Sequence, residues 1–473
     1  MKNQPKTKII ATIGPASDSP EKLKKMIKAG MNVARLNLSH GNPAEHSQRI
    51  RLIREISNEV GTNVAIMVDT KGIEIRTGIL EEGSAVLEAG AEFRLYADGR
   101  EGNQQGASIS YPELCHQVSA GVPILLDDGV IELVVKSIQD SDIICKVVIG
   151  GTLYNAKGVN LPQTRIPLEV INESTRQELS FAIDNDVDYI AASFVRNAKD
   201  VNELRAVLNE SGVTIPIIAK IENAEGVDNL DEIISVSDGT MVARGDLGVE
   251  LPAEYVPLVQ KKIIRRTVMN GKPVITATQM LDSMERNPHP TRAETSDVAN
   301  AILDGTSAVM LSGETAVGKY PVKAIKTIAS LARHTEASLR EYGYLQKITP
   351  HEYNVITDAV SQAANTMVLH LHAPVIVTLT ETGFTSRMIS RFRAEPPIVA
   401  VTSSIKVVRS LAMNWGVIPF LYEGEQNHEA KIDFAIKKMK ELGIAKTGDD
   451  IVITHGQDAR AGGTNLIRVV TID

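Results

Sequence analysis

The sequence predicts an α/β protein built from a (β/α)₈ barrel, an inserted all-β domain and a separate C-terminal α/β domain. Short apolar runs alternate with amphipathic helical segments, and eight such runs occur before residue 312. Eight parallel strands are the number that closes this barrel. Between about residues 71 and 168 the runs become short, alternating and punctuated by glycine, which is typical of all-β structure. A strand–helix rhythm then resumes and continues to the end of the sequence.

The barrel strands can be placed from these apolar runs, each of which ends in polar residues. Ahead of the first helix, Asp18 or Ser19 can cap the helix and Pro20 suits its first turn. The predicted barrel strands span residues 8–13, 32–37, 63–68, 189–193, 217–221, 240–243, 273–276 and 308–311.

Domain boundaries follow from the changes in this rhythm. We place the barrel domain at residues 1–70 and 169–341, and the inserted β domain at 71–168, where it would act as a lid over the carboxyl ends of the strands. A polar stretch near 342–353 reads as a linker within the C-terminal domain, 342–473. That domain is predicted to contain a helix at 356–369 and strands at 374–379, 398–401 and 451–454.

Composition excludes several classes of function. The net charge of −8 is spread along the chain without a basic block, so nucleic-acid binding has no electrostatic support. No run is long enough to span a bilayer, and the N-terminus shows no secretory apolar region. Cys115 and Cys145 have neither metal-ligand spacing nor a disulfide framework. We therefore expect a cytoplasmic protein that does not bind membranes.

The strongest chemical signal lies in residues 217–250. Lys220 and Glu222 are two positions apart at a strand end and therefore share a face. Asp246 follows Glu222 by 24 positions, about one strand–helix unit, so it should lie on the neighbouring strand at the same end. Paired carboxylates with an ammonium at this rim suit Mg²⁺ or Mn²⁺ and a phosphorylated substrate. The alternative is a surface ion-pair cluster without function.

Other strand ends add groups that bind phosphate or cations. Arg35 and Lys220 can neutralise phosphoryl oxygens. The turn at Gly245–Gly248 offers free N–H groups to an anion; it can also be an Asp N-cap with glycine turns, and both can be true together. An oxygen-rich set with one formal charge suits a monovalent cation better than a second Mg²⁺; it comprises Asn37, Ser39, Asp69 and Thr70. The remaining polar strand ends are His40, Thr278, Ser312 and Glu314.

These residues lie in motifs that resemble the pyruvate kinase family over essentially the whole chain. The motifs are ATIGPAS, ARLNLSHG, DTKGIEIRTG, KGVNLP, AKIENAEG, ARGDLGVE, ATQMLDSM, PTRAETSDVANAILDG and MLSGETAVGKYP, in that family's order. The resemblance implies a TIM barrel with an inserted β-barrel lid domain and a C-terminal regulatory domain. It further implies phosphoryl transfer from phosphoenolpyruvate to ADP, and a homotetramer.

The same resemblance implies a role for each matching residue. Glu222 and Asp246 would hold the divalent metal, and Arg35 and Lys220 the transferring phosphoryl group. The other implied sites are the phosphoenolpyruvate carboxylate site (Gly245, Asp246, Thr278), the potassium site (Asn37, Ser39, Asp69, Thr70), nucleotide contacts (Asn37, His40, Arg76, Lys157) and an enolate-protonating water relay (Thr278, Ser312). Ile73 departs from the family's usual proline. Glu74 occupies a position where potassium-independent members resemble one another in carrying lysine.

Two other functions remain open at this point. A metal-dependent TIM-barrel lyase or aldolase could act through a pyruvate enolate on a similar rim, but it would not need nucleotide contacts from a lid. A catalytically inactive sugar-phosphate sensor is the third possibility. The intact set of Lys220, Glu222, Asp246 and Thr278 argues against the sensor.

A second ligand site is predicted in the C-terminal domain. Hydroxyls and a glycine follow a strand at Thr380, Thr382, Gly383, Thr385 and Ser386, which can cradle a phosphate. The alternative is a capped helix start. Similar pyruvate kinases bind the phosphate of a sugar-phosphate activator at this turn. Glu381 and the segment HGQDARAGG (455–463) depart from that pattern, so a monophosphorylated sugar or AMP is at least as good an expectation as a bisphosphate.

Overall fold

The computed structural model describes residues 4–72, 74–162, 164, 166, 169–343, 355–456 and 463–473. Ile73, most of the predicted linker and most of the 455–463 segment lie outside the described residues. Within the described part of the chain, no helix has the length and apolar character that crossing a membrane requires.

The first strand–helix units form as the sequence predicts. Helix α1 begins after Ser19, whose side chain accepts a hydrogen bond from the N–H of Lys22, and it ends at Gly30 in a positive-φ conformation. These are ordinary start and stop signals for a helix. The elements are β1 (Lys8–Thr12), α1 (Pro20–Ala29), β2 (Val33–Asn37), α2 (Pro43–Val60) and β3 (Ala65–Asp69).

Residues 74–162, which we call the β unit, contain eight strands and, among the described residues there, a single 3₁₀ helix at Pro112–His116. Six strands form one sheet in the order β11-β7-β8-β9-β5-β6, and β10 pairs with β4. The strands are β4 (Ser84–Leu87), β5 (Glu92–Tyr96), β6 (Gly106–Ser108), β7 (Pro123–Leu126), β8 (Ile131–Gln139), β9 (Asp142–Ile149), β10 (Gly151–Tyr154) and β11 (Val159–Asn160). The unit has its own apolar core.

The strand–helix alternation then resumes. Its elements are α3 (Glu173–Asp184), β12 (Tyr189–Ala192), α4 (Ala198–Glu210), β13 (Ile217–Ile221), α5 (Ala224–Asp228), α6 (Leu230–Val236), β14 (Gly239–Ala243), α7 (Arg244–Glu250), α8 (Val256–Met269), β15 (Val274–Ala277), α9 (Arg292–Leu303), β16 (Ala308–Leu311), α10 (Gly313–Ala316), α11 (Pro321–Glu336) and α12 (Leu339–Tyr342). A 3₁₀ helix occupies Asp282–Glu285.

Eight parallel strands close into a barrel in the order β1-β16-β15-β14-β13-β12-β3-β2, which confirms the predicted fold class. Strands β3 and β12 pair directly, so the β unit is inserted between neighbouring strands. All eight strands therefore present their carboxyl ends at one rim, close to the insertion. The predicted domain boundaries themselves stay predictions.

One predicted element differs. The sequence predicts a single helix over 224–235, whereas the structure has two short helices that meet at Asn229. Asn229 donates a side-chain hydrogen bond to the carbonyl of Arg196 at 3.0 Å. This tertiary bond holds the residue where the two helices meet and overrides the local helical preference.

The C-terminal part forms a five-stranded sheet in the order β19-β18-β17-β20-β21. Its elements are α13 (Val355–Leu371), β17 (Ile376–Leu379), α14 (Phe384–Ser390), β18 (Ile398–Thr402), α15 (Ile405–Ser410), β19 (Val417–Leu421), α16 (His428–Glu441), β20 (Asp450–Gly456) and β21 (Thr464–Thr471). The two edge strands, β19 and β21, are absent from the sequence prediction. Pro419 interrupts the apolar run of β19, and β21 is largely solvent-facing, so both are weak strand signals.

The C-terminal part packs against the barrel end opposite the rim. Ala412 and Met413 are buried with Ile10, Val33 and other residues that point into the barrel. Lys8, at the start of β1, donates to the carbonyl of Val417 at 2.7 Å. The barrel floor is therefore completed by side chains from the C-terminal part.

The buried Lys8 at this floor should make stability depend on alkaline pH. Burial lowers the pKa of Lys8 to about 8, although Glu336 opposes the shift. Between pH 8 and 10.5 the unfolded chain then binds more protons than the folded one, so the free energy of unfolding should rise with pH, by at most about 1.4 kcal/mol per pH unit. Lys8→Met should lack this rise.

The measurement is the urea midpoint of unfolding at pH 7.5, 9 and 10. The exposed Lys28→Met is the control and should keep the pH dependence of the wild type. Parallel pH profiles for the wild type and Lys8→Met would contradict the prediction.

Candidate active site

Lys220, at the end of β13, is the centre of a buried ionic cluster at the rim. Its Nζ lies 2.9 Å from Asp69 Oδ1 and 2.9 Å from Glu222 Oε1. It also donates to Ser193 Oγ at 2.7 Å. The prediction that Lys220 and Glu222 share a face is confirmed. The lysine is fixed from three directions, which favours one orientation of its ammonium group.

Asp69, at the end of β3, joins the two cations predicted to bind phosphoryl oxygens. Its Oδ2 accepts from Arg35 Nε at 2.7 Å, while its Oδ1 faces Lys220. Arg35 also donates through Nη1 to Thr12 Oγ1 at 3.0 Å. Asp69 is 1% exposed, so this carboxylate is surrounded by protein. One buried acid therefore sets the distance and orientation between Arg35 and Lys220.

The charges in this cluster stabilise one another. Burial by itself would raise the pKa of Asp69, but Arg35 and Lys220 outweigh it and lower that pKa below its usual value. Burial would lower the pKa of Lys220, but Asp69 and Glu222 raise it above the ordinary value. The carboxylate of Asp69 and the ammonium of Lys220 are both charged at neutral pH. A persistently cationic lysine suits the stabilisation of developing negative charge.

Glu222 and Asp246 form the predicted carboxylate pair. Glu222 accepts from the N–H of Phe194 at 2.6 Å. Burial and the neighbouring Asp246 carboxylate raise the pKa of Glu222, and burial raises the pKa of Asp246, which hydrogen-bonds to Glu222. Two buried acids that disfavour simultaneous ionisation attract a cation.

The donor chemistry fits a divalent metal. Mg²⁺ is usually held by one or two carboxylates and completes its shell with water and substrate oxygens. Glu222 and Asp246 offer such a pair of hard oxygen donors. Within the described ranges, no group of three or more His, Cys, Asp or Glu side chains is arranged to hold a metal. A metal on this pair would therefore rely on substrate oxygens.

The turn at Gly245 differs from the sequence prediction of free N–H groups. The N–H of Gly245 donates to Thr278 Oγ1 at 2.9 Å. Arg244 braces the same turn, because it donates to the carbonyl of Thr278 at 2.6 Å and to Asp297 at 2.6 Å. Thr278 has φ 62°, which is costly for a β-branched residue and typical of functional sites. The structure thus brings Gly245, Asp246 and Thr278 together.

A cleft of about 590 Å³ lies between the rim and the β unit. Its lining includes Thr70 and Asp246 from the barrel and Arg76 and Lys157 from the β unit. Arg76 and Lys157 are both already paired. Arg76 contacts Glu74 and donates to the carbonyl of Ala156 at 2.8 Å, and Lys157 lies 2.9 Å from Asp127. A polyanion entering the cleft would compete with these carboxylates.

Other predicted residues lie outside the ionic cluster. Ser39 and His40 are exposed, and the side chain of Asn37 accepts from the N–H of Ser39 at 3.1 Å. Ser312 donates its N–H to Glu314 at 2.7 Å, and Glu314 also accepts from the N–H of Leu281. These contacts build the rim loops and leave the roles of the residues as predictions.

The predicted effector turn is partly internal. Ser386 bonds to Thr378 at 2.7 Å in the core, and Thr385 bonds to Thr464. The N–H of Gly383 donates to Thr380 Oγ1 at 2.9 Å, whereas Thr382 is exposed. This arrangement favours the helix-start interpretation for Thr385 and Ser386, and it leaves Thr382 as the side chain available to a ligand.

Sequence reasoning missed three contributors to the cluster: Thr12, Ser193 and the N–H of Phe194. Each binds a predicted residue directly. Ser193 ends one of the predicted strands, so its position at the rim was a usable signal. A backbone N–H such as that of Phe194 has no sequence signal.

The fold and the site together define a class of protein, namely an α/β barrel whose rim carries a cationic cluster and a carboxylate pair, an arrangement suited to an anionic substrate. Comparison with known proteins identifies the family within this class. A model of the pyruvate kinase barrel domain matches residues 4–325, and a model of the pyruvate kinase alpha/beta domain matches residues 358–470. The chain belongs to the pyruvate kinase family.

Curated relatives agree with the family models. A pyruvate kinase of Bacillus licheniformis is 50% identical over 470 residues, which cover 99% of this chain and 80% of the relative. A pyruvate kinase of Geobacillus stearothermophilus is 50% identical over 475 aligned residues with the same coverage. One of Staphylococcus saprophyticus is 48% identical over 468 residues.

Proposed function

We propose that this chain acts as a pyruvate kinase and transfers the phosphoryl group of phosphoenolpyruvate to ADP, which yields pyruvate and ATP in the last step of glycolysis. The observation that carries this proposal is Lys220, held cationic by Asp69 and Glu222 beside the Glu222–Asp246 pair. Family membership and relatives that match 99% of this chain support it. Phosphoryl transfer needs positioning and charge neutralisation more than covalent catalysis, and the cluster offers both.

Phosphoenolpyruvate would bind across the rim. Arg35 and Lys220, spaced by Asp69, would bind the phosphoryl oxygens. Gly245, Asp246 and Thr278 would orient the carboxylate. Lys220 would stabilise charge on the phosphoryl group as it leaves the enolate oxygen. A proton from water, relayed through Thr278 and Ser312, would then be transferred to the enolate carbon.

The Glu222–Asp246 pair would hold the cofactor Mg²⁺, or Mn²⁺. When bound, the divalent ion neutralises part of the charge on the phosphoryl oxygens. Glu222 would keep its position because the N–H of Phe194 and the ammonium of Lys220 both hold its carboxylate.

The nucleotide would enter the cleft under the β unit. Arg76 and Lys157 would exchange Glu74 and Asp127 for ADP phosphates, since charge-assisted bonds to phosphate are strong. Asn37 and His40 would contact ADP from the rim. A cleft of about 590 Å³ lies in the usual size range for a small-molecule site.

The assay that tests the proposal measures pyruvate formed from phosphoenolpyruvate with and without ADP. A pyruvate kinase forms pyruvate and ATP together, and only when ADP is present. Release of pyruvate without ADP would indicate a lyase-type reaction through the enolate. Absence of turnover would indicate a binding protein and would overturn the proposal.

Loss of the lysine should affect the chemical step. We expect Lys220→Met to lower kcat by at least about 10³-fold, in the manner of a lost preorganised donor, while substrate KM changes much less. Steady-state kinetics at saturating Mg²⁺ and K⁺ measure this. The control is Lys199→Met, which removes an exposed lysine. A folded Lys220→Met protein with near-normal kcat would remove the lysine from the mechanism.

Potassium is the second proposed cofactor, held by Asn37, Ser39, Asp69 and Thr70. Potassium-independent members resemble one another in carrying lysine where this chain has Glu74. A monovalent cation would therefore supply the positive charge that the lysine provides in those members. We expect strong activation by K⁺ relative to Na⁺ or Tris, and weaker dependence in Glu74→Lys. Glu74→Gln is the matched control, since it removes the carboxylate that pairs with Arg76 without adding a positive charge, and it should stay dependent on K⁺. Full activity of the wild type in cation-free buffer would contradict this prediction.

We further propose that the chain is a cytoplasmic homotetramer regulated by a phosphorylated metabolite. Exposed apolar side chains on α13 and β21, among them Leu369, Leu371 and Val469, support an assembled state. Exposed Thr382 supports a ligand at the effector turn, where Glu381 is paired with Lys431 at 2.6 Å. Because Glu381 adds a negative charge at this turn, a monophosphorylated sugar or AMP is at least as good a candidate as a bisphosphate.

The effector proposal predicts sigmoidal phosphoenolpyruvate kinetics that become more hyperbolic with the right metabolite. Thr382→Glu should abolish the response and keep basal activity, because it adds negative charge where the phosphate would bind. A panel of sugar phosphates and AMP measures the effect, with the exposed Thr447→Glu as control. If Thr382→Glu still responds to the metabolite like the wild type, the turn is only a helix start and not an effector site.

A further inference from the structure

A hydrogen bond crosses the cleft between the β unit and the barrel. Asn160 Nδ2, in β11, donates to Glu250 Oε1, in α7, at 3.2 Å. Asn160 is fixed within the sheet of the β unit, since it pairs with Leu125 of β7. Both side chains line the same cleft as Asp246. The bond therefore joins the insertion to the helix that carries a member of the carboxylate pair.

The position of Glu250 is unfavourable without such a partner. Glu250 is the last residue of α7, and a carboxylate at a helix C-terminus faces the negative end of the helix dipole. It is also partly buried, and this burial raises its pKa while the bond from Asn160 opposes the shift. A charged group in such a place is normally satisfied by a donor. Here the donor comes from the β unit.

Helical geometry connects this bond to the site. Asp246 and Glu250 are four residues apart on α7, so they lie on one face of the helix, one turn from each other. Movement of the β unit relative to the barrel would pull on Glu250 and so shift the turn that presents Asp246. The cleft keeps about 590 Å³ while the bond is formed, which leaves room for a bound small molecule.

We propose that Asn160 and Glu250 form a latch that holds the β unit over the rim and positions α7, and with it Asp246, for the nucleotide-bound state. This inference rests on the proposed function. Neither residue touches the reacting atoms, so both are positioning residues. They belong to the motifs KGVNLP and ARGDLGVE, whose other members carry the predicted nucleotide and metal contacts.

The first test compares Asn160→Ala with the wild type. With Mg²⁺ and ADP present, amide hydrogen exchange in residues 71–168 should be faster in the variant, because the β unit opens more often. The KM for ADP should rise about tenfold while kcat stays within about threefold. The Kd for Mn²⁺ without nucleotide, measured by electron paramagnetic resonance, should rise severalfold. Asn155→Ala is the matched control, since Asn155 bonds within the β unit, to the N–H of Leu80.

The second test exchanges donor and acceptor. Asn160→Asp places two carboxylates face to face and should exceed Asn160→Ala in every effect. Glu250→Gln should stay near wild type, because the amide oxygen still accepts from Asn160. The double variant Asn160→Asp with Glu250→Gln restores a bond of opposite polarity and should recover exchange rates and ADP KM. This recovery also shows that the single variants had not failed merely through misfolding.

Two results would overturn the latch. One is an Asn160→Ala protein whose exchange and ADP KM match those of Asn155→Ala; the other is a double variant that stays as impaired as Asn160→Asp. A wild type that forms no pyruvate would instead refute the proposed function. Amide hydrogen exchange and the Kd for Mn²⁺ can be measured without catalytic turnover. They would therefore still test the latch if the wild type formed no pyruvate.

Discussion

The buried carboxylate of Asp69 is the interaction on which the rest of the site depends. It accepts hydrogen bonds from both Arg35 and Lys220, and it is only 1% exposed. Without Asp69, the positive charges of Arg35 and Lys220 would repel each other in a medium of low polarity. The carboxylate offsets this repulsion and holds the two cationic groups in fixed positions. Removing a single partner from a buried ionic cluster typically costs about 3–5 kcal/mol, so its geometry is strongly enforced.

The barrel makes such a cluster possible by bringing distant segments to one place. Asp69, Ser193, Lys220 and Asp246 come from or directly follow four neighbouring strands, β3, β12, β13 and β14. Parallel strands end on the same side, so each supplies a side chain without a special loop. The β unit is inserted between β3 and β12, directly after Asp69 at the end of β3, and it therefore forms the other side of the cleft beside this residue.

The sequence was sufficient to predict the barrel, the insertion and the carboxylate pair, because strand period and strand ends are local signals. The contact of Lys220 with Glu222 needed only their two-residue spacing. Asp69 was predicted as a cation ligand, but its bonds to Arg35 and Lys220 span separations of 34 and 151 residues. No local pattern encodes such contacts. The same holds for the Asn229 bond that splits a helix, for Thr278 capping Gly245, and for the inward direction of Ser386.

The floor of the barrel has a consequence for how the protein is made. The last barrel strand ends at Leu311, yet the interior is sealed by Ala412 and Met413, roughly a hundred residues further along. At about 5–20 residues per second, a ribosome needs roughly 5 to 20 seconds to add that stretch. During this interval the nascent barrel has an open apolar end. A pause in translation there would lengthen the time for which this apolar surface is open to aggregation.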